Sequence, residues 1–332
     1  MKKIILPKSE IKISRIGLGG LHFGSFISPK ESINIIHKCL DNGINFIETA
    51  AMYGENNSSK IIGKALKFKG SNTLLSYKIG LEPVIKKNSF KCKIAPLNRK
   101  YLIEKLNEGL KNLNVDRIDI FQIHAFDNKT NIINLLDTIN YLIDNKKIRY
   151  FGFSNIEKKQ LINIFKTKHP VLKKLISVQL QFNILERKAE KYFFKICEKK
   201  KLSILFNQVF AKGILLNKYS NLVNFPKTSR AFLSYSLRKQ LNSGILKFSK
   251  DLDNLSSKMS IKLSDLILSW TLSKFNNSVC ILGFSKKDQI INYNKIKYNR
   301  NTDEINYNIE NLIKIHHYKK LIYERPKKFI NL

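Results

Sequence analysis

Short apolar runs alternate with amphipathic segments along most of this chain, and that alternation restricts its fold more than any other feature. Runs at residues 16–18, 44–48, 73–78, 118–124, 148–153, 176–180, 202–206 and 278–282 read as strands. The intervening segments carry apolar residues at helical spacing, with Ile33, Ile36, Cys39 and Leu40 on one face and Leu102, Leu106, Leu110 and Leu113 on another. Ser28-Pro29-Lys30-Glu31 supplies a cap, a first-turn proline and a capping-box acid. Asn42-Gly43 supplies a stop, because glycine accepts the left-handed conformation that closes a helix. Strand–helix alternation implies a parallel sheet with right-handed crossovers. About eight such units over about 300 residues predict an α/β fold of the closed (β/α)8 kind, a TIM barrel. An open doubly wound sheet would want a glycine-rich fingerprint at its first helix, and Gly17-Leu18-Gly19-Gly20 lacks that spacing.

The pattern predicts one barrel domain over residues 1–332. Residues 1–15 read as a hairpin that plugs the barrel bottom. Residues 207–262 form a long insertion after the seventh strand, and residues 299–332 a basic C-terminal tail. In such a barrel the loops that follow the strands build the active site. The 80–98 loop and the 207–262 insertion are therefore expected to meet cofactor and substrate, and Trp270, inside a helix pattern, reads as packing.

Three strand ends carry polar side chains suited to chemistry: Glu48 after Phe46 and Ile47, Lys78 after Tyr77, and His124 after Ile123. Tyr53 follows the first of them in a loop closed by Gly54. A barrel gathers those ends on one rim. A tyrosine hydroxyl, with a pKa of about 10, exchanges protons poorly near neutrality unless a neighbouring cation favours its ionised form. Lys78 is placed to be that cation, and Glu48 to hold Lys78 charged. His124 can donate a hydrogen bond to a carbonyl oxygen and orient it. Together these groups can protonate a carbonyl oxygen while its carbon is attacked.

Composition removes several alternatives. The formal charge of +35 invites a nucleic-acid reading, but most of the 60 basic residues are Lys and are spread along the chain. They come without a zinc finger, an RNA-recognition signature or a basic-aromatic repeat. The expectation is weak, salt-sensitive attraction to polyanions rather than specific nucleic-acid recognition. Cys39, Cys92, Cys197 and Cys280 show no paired spacing, which argues against zinc and fits a reducing compartment. No apolar run is long enough for a transmembrane helix, and the basic start Met1-Lys2-Lys3 leads into too short an apolar stretch for a signal peptide. The chain is expected to be cytoplasmic and off the membrane, with no metal; its oligomeric state is not encoded in these patterns.

The motifs resemble those of the aldo-keto reductases. The resemblance runs over roughly residues 10–298 and is carried by Ile16-Gly17-Leu18-Gly19-Gly20, by Gly43-Ile44-Asn45-Phe46-Ile47-Glu48-Thr49-Ala50 and by Met52-Tyr53-Gly54. It continues through Asp116-Arg117-Ile118-Asp119-Ile120-Phe121-Gln122-Ile123-His124, Gly152-Phe153-Ser154-Asn155, Val178-Gln179-Leu180-Gln181-Phe182-Asn183 and Gly283-Phe284-Ser285. It implies a barrel that binds NADPH, with NADH as the alternative, and reduces an aldehyde, ketone or sugar carbonyl. It implies Tyr53 as general acid, Lys78 as the group that tunes it, Glu48 as partner of Lys78 and His124 as carbonyl orienter. Gly19 falls in the first of these motifs and is counted with the cofactor site. Ser154, Asn155 and Gln179 match positions that hold the nicotinamide carboxamide. Gly283, Ser285, Lys286 and Gln289 match the adenosine-phosphate site. The segment before Leu97-Asn98-Arg99-Lys100 resembles bacterial branches acting on small aldehydes or deoxysugar ketones.

The chain departs from the family pattern in three places. Glu48 stands where the family has Asp. Asn207 stands where an aromatic ring usually stacks on the nicotinamide, leaving Phe206 or Phe210 to do so through a register shift. Asn292-Tyr293 replaces a Glu-Asn pair in the final cofactor helix. These departures admit a second expectation, a cofactor-binding relative with a regulatory or interaction role.

Overall fold

The computed structural model describes residues 2–70, 72–86, 89–126, 129–219, 237, 241–290 and 302–316. Residues 220–236 and 238–240 of the 207–262 insertion lie outside that set. So do 299–301 and 317–332 of the tail, and Asn292 and Tyr293.

Twelve strands are formed among the described residues. β1 (Lys3–Ile5) and β2 (Lys12–Ser14) pair as an antiparallel hairpin. β3 (Ile16–Gly19), β4 (Phe46–Ala50) and β5 (Leu74–Ile79) enter the barrel; β6 (Leu81–Lys86) and β7 (Ser89–Ile94) make a second antiparallel hairpin outside it. β8 (Ile118–Ile123), β9 (Ile148–Ser154), β10 (Leu175–Gln181), β11 (Ser203–Asn207) and β12 (Ser278–Leu282) complete a closed parallel barrel in which β12 pairs back onto β3. The fold is the (β/α)8 barrel. The 80–98 segment, read from sequence as a loop, is mostly the β6–β7 hairpin. Pro83, which counts against a strand, and the consecutive apolar Val84 and Ile85 had obscured its alternation.

The helices begin where their caps place them. Ser28 accepts from the Glu31 N–H, Asn98 from Tyr101, Asn131 from Asn134 and Asn242 from Ile245. Two helices differ from their sequence expectation. The 189–199 segment is two short helices, Lys188–Tyr192 and Phe194–Lys199, separated at Phe193. The tail contributes a further helix, Thr302–Ile315, whose Ile305, Ile309 and Ile313 are buried at helical spacing.

Strand alternation divides the core in two. Outward residues such as Leu18, Ile47, Leu75, Phe121, Phe153 and Phe206 pack beneath the helices. Leu102 and Leu106 come from the helix side and are fully buried. Each contributes about 1.5–3 kcal/mol by leaving water. Trp270 is fully buried and stacks on Phe182 at 5.5 Å. Inward residues Phe46, Ile120, Tyr150, Ile176, Leu205, Val279 and Ile281 form a second cluster, joined from below by Leu6, Ile11 and Ile13 of the first hairpin. That apolar layer closes the lower half of the barrel. Gly17 makes room for it, since a Cβ there would lie 2.6 Å from the Phe46 ring. Above it the inward positions turn polar, and the site begins there.

Candidate active site

Period two decides which side chains enter the barrel. Phe46 faces inward, so Glu48 does too; Leu74 leads to Ser76 and Lys78, Ile120 to Gln122 and His124, and Leu205 to Asn207. A register irregularity between Leu175 and Ser177 lets both Ile176 and Gln179 point inward on β10.

Glu48 and Lys78 sit on strands paired in parallel, and their side chains form an ion pair 3% and 1% exposed. Burial pulls the Lys78 ammonium well below the ordinary lysine range. Either charge alone would be costly at this depth; the contact lets each neutralise the other. The Lys78 Nζ lies 4.7 Å from the centroid of the Tyr53 ring. Tyr53 is 6% exposed and meets the His124 ring edge-on, with centroids 5.9 Å apart. Burial first, and then the charge of Lys78, hold His124 well below the usual imidazole range, so at neutral pH it is uncharged. Gly80 allows this crowding. Its φ is +122°, and a Cβ would lie 2.9 Å from the Leu97 side chain and 3.6 Å from the His124 backbone nitrogen.

Next to His124 lies a row of amides and hydroxyls. Asn155 donates to the His124 carbonyl at 2.9 Å and to Ser154 Oγ at 3.1 Å. Its φ of +53° turns the backbone there, and its N–H bonds the Gln179 carbonyl at 3.2 Å. Gln122 donates to Gln179 Oε1 at 3.0 Å and to Ser76 Oγ at 2.7 Å, all three residues being at most 2% exposed. Gln122 and Ser76 were not singled out from sequence. Each lies two residues before a predicted site residue on the same strand, His124 and Lys78, and that spacing was the available signal.

The third group follows β12. Gln289 Oε1 accepts from the Ser285 N–H at 2.8 Å, from Ser285 Oγ at 3.3 Å and from the Lys286 N–H at 3.3 Å, which closes a short turn. Lys218, also missed from sequence, comes close: partial burial and then the charge of Lys286 lower it below the ordinary lysine range. It ends a segment in which Gln208, Ala211, Lys212 and Gly213 all have positive φ, a turn chemistry that the sequence 208–213 does not announce. Gly283 opens the same rim, where a Cβ would lie 3.2 Å from the His22 ring. At Gly19 a Cβ would lie 3.1 Å from Ile281 and 3.6 Å from Glu48 Oε2.

This arrangement fits a dinucleotide. Gly19 and Gly283 bring the backbone of this rim close to Ile281 and His22, where any side chain would crowd them. Ser154 and Gln179 are buried polar residues in the row that Asn155 ties to the His124 carbonyl, and the buried Asn207 Oδ1 has no hydrogen-bond partner in the protein. Phe206 cannot replace the missing ring by a register shift, because it is fully buried on the outward face, 4.7 Å from Phe182. Phe210 packs against the same outer core. Among the described residues no group of three or more His, Cys, Asp or Glu is placed to hold a metal ion, and no helix is long and apolar enough to cross a membrane.

A family model described as "Aldo/keto reductase family" matches residues 15–310. The chain is 28% identical over 297 residues to an aldo-keto reductase of Bacillus subtilis, covering 87% of each. It is 27% identical over 298 residues to a probable voltage-gated potassium channel subunit beta of Oryza sativa subsp. japonica, covering 86% of this chain and 88% of that one. In fold it is similar to a glycerol dehydrogenase of Gluconobacter oxydans, with a TM-score of 0.81 at 24% identity over 99% of both chains. It is also similar to the holo form of an aldo-keto reductase of Bacillus halodurans, with a TM-score of 0.71 at 23% identity over 94% of this chain and 96% of that one.

Proposed function

The chain belongs to the aldo/keto reductase family, and on that premise we propose that it is an NADPH-dependent reductase of small aldehydes, ketones or sugar carbonyls, with Tyr53 as its general acid. The observation that carries the reading is the convergence of Tyr53, Lys78 and His124 at one buried barrel mouth, with Lys78 Nζ 4.7 Å from the Tyr53 ring and His124 edge-on to it. A reduced nicotinamide bound there supplies the hydride. The protein supplies the rest. Neutral His124 donates a hydrogen bond to the substrate carbonyl and fixes its direction. Tyr53 Oη gives its proton to the carbonyl oxygen as negative charge develops, and the nearby Lys78 stabilises the phenolate left behind. Glu48 keeps Lys78 in place and opposes the loss of its proton that burial favours. Glu48 carries one methylene more than Asp and still pairs with Lys78.

Ser154, Asn155 and Gln179 would hold the nicotinamide carboxamide. With two of its bonds going to the His124 carbonyl and Ser154, Asn155 ties that group to the catalytic histidine. Lys286, Lys218 and the Ser285–Gln289 turn would take the adenosine phosphate, and two lysines in one place would favour the extra phosphate of NADPH over NADH.

The second reading is a cofactor-binding regulatory relative. Asn207 and the name of the rice relative motivate it, and the intact Tyr53, Lys78 and His124 weigh against it. Absorbance-monitored oxidation of NADPH over a broad carbonyl panel, run beside a fluorescence titration of the same cofactor, separates the two. Turnover supports the reductase; tight binding with no oxidation on any carbonyl supports the regulatory relative.

A further inference from the structure

We propose that Glu108, outside the barrel on the helix Arg99–Leu113, is a positioning residue for Tyr53 and acts on it through Asn56. This rests on the reductase reading, in which Tyr53 supplies the proton. Three successive residues after Tyr53 stand in the left-handed region: Gly54 at φ +54°, Glu55 at +53° and Asn56 at +70°. Glycine takes that conformation freely, but a residue with a Cβ holds it only where its surroundings impose it. Backbone bonds close the turn. The Tyr53 N–H donates to the Ala50 carbonyl at 3.0 Å, the Asn57 N–H to the Gly54 carbonyl at 2.9 Å and the Ser58 N–H to the Tyr53 carbonyl at 3.3 Å.

Asn56 shows what imposes the conformation. It is the N-cap of the helix Asn57–Lys69, a place where an asparagine side chain ordinarily accepts from a first-turn N–H. Ser28, Asn98, Asn131 and Asn242 all do so. Asn56 makes no such bond. Its Nδ2 donates instead to Glu108 Oε1 at 2.6 Å, and its Oδ1 is buried without a hydrogen-bond partner among the described residues. The other oxygen of Glu108 accepts from Lys105 Nζ at 2.9 Å, which fixes the carboxylate on its own helix. Asn56 thus forgoes its cap, strands an oxygen and adopts a left-handed backbone, all for one bond to a carboxylate. Such a charge-assisted bond is roughly twice as strong as a neutral one. Next to it, Ser58 Oγ donates to the Gly20 carbonyl at 2.8 Å and lies 2.9 Å from Thr49 Oγ1, which ties the same turn to the barrel. Tyr53 therefore leads into a turn held by the barrel on one side and by Glu108 on the other. Release of Glu108 lets the left-handed residues relax and the Tyr53 hydroxyl drift. A general acid works only within hydrogen-bond reach of its target, and a displacement of about 1 Å can cost roughly a hundredfold in rate.

The test uses Glu108→Ala, Glu108→Gln and Asn56→Gly in the full chain. Rates with NADPH over the carbonyl panel are read beside urea unfolding and hydrogen-exchange mass spectrometry of peptides covering residues 53–58. Glu108→Ala and Asn56→Gly should lower kcat by about ten- to a hundredfold. KM and the Kd for NADPH should stay within about twofold, because a misplaced acid is felt in the transition state and not in binding. Asn56→Gly should unfold at the parent's urea midpoint or above it, since glycine accepts the local backbone without strain. Glu108→Gln keeps an acceptor oxygen for Asn56 and should recover most of the rate. Peptides 53–58 should exchange faster in Glu108→Ala and Asn56→Gly than in the parent. Parental kcat in Asn56→Gly, or unchanged exchange in both variants, overturns the inference while leaving a reductase, and Glu108 then only braces two helices. If the parent reduces no carbonyl, the reductase reading falls and exchange alone decides: faster exchange in Glu108→Ala supports the tie to the Tyr53 turn, and parental exchange removes it.

Discussion

Lys78 and Glu48 form an ion pair sealed in the upper barrel, 1% and 3% exposed, with the Tyr53 ring 4.7 Å from the lysine nitrogen. Neither member is tolerable there without the other. Lys78→Met should therefore cost about 3–5 kcal/mol in urea unfolding, because it strands a buried carboxylate. The double variant Lys78→Met with Glu48→Gln should recover most of that loss. Additive losses in the cycle would show that the two side chains are not coupled.

The buried His124 makes folding stability pH-dependent. Its folded-state pKa is well below the ordinary value, so the unfolded chain takes up a proton near pH 6.5 that the folded chain refuses. The contribution is fully present above about pH 6.5. It declines as the pH falls toward the folded pKa, by up to about 1.4 kcal/mol per pH unit. Urea unfolding at stepped pH should show a shallower acid decline for His124→Gln than for the parent. Because the chain has six histidines, the difference between the two profiles is the relevant quantity. Superimposed profiles would contradict the assignment.

Lys286 and Lys218 approach each other at the turn after β12 closely enough for one to lower the other's pKa. A phosphate between them would relieve that repulsion. Alanine at either position should raise the Kd for NADPH by roughly five- to thirtyfold, about 1–2 kcal/mol, with little effect on NADH. Equal losses for both cofactors in a fluorescence titration would remove the 2′-phosphate from this turn.

Asn207 faces inward above Leu205 with a buried, unpartnered Oδ1. An aromatic ring there should stack on a bound nicotinamide. Asn207→Tyr is expected to tighten cofactor binding by about 0.5–1.5 kcal/mol, roughly two- to tenfold. Weaker binding would mean that Asn207 makes a polar contact that a ring cannot replace.

Much of this molecule could be read from its sequence, and the limits have physical causes. The eight barrel strands followed from short apolar runs set between helical repeats. The first, Ile16–Gly19, was the faintest because two of its four residues are glycines that make room for Phe46 and flank Glu48. Tyr53, Lys78 and His124 were legible because strand ends in a parallel barrel share one rim. Their mutual distances were not, since these depend on barrel closure. The β6–β7 hairpin was missed because Pro83 counts against a strand and the consecutive Val84 and Ile85 break the alternation of β6, although the charges at 82 and 93 mark one face. Lys218 was missed because it follows a run of positive-φ residues that includes Ala211 and Lys212, types that seldom adopt that conformation. Phe206 looked available for stacking until the parity of β11 placed it under the helices.

The account depends most on Tyr53, and one substitution addresses it. Tyr53→Phe removes a single oxygen and keeps the ring that packs between Lys78 and His124. Carbonyl reduction with NADPH should fall at least about a hundredfold, the lower end of what a positioned general acid contributes, while the Kd for NADPH measured by fluorescence stays within about twofold of the parent's. Parental turnover in the variant would contradict the account, because the proton would then have another source.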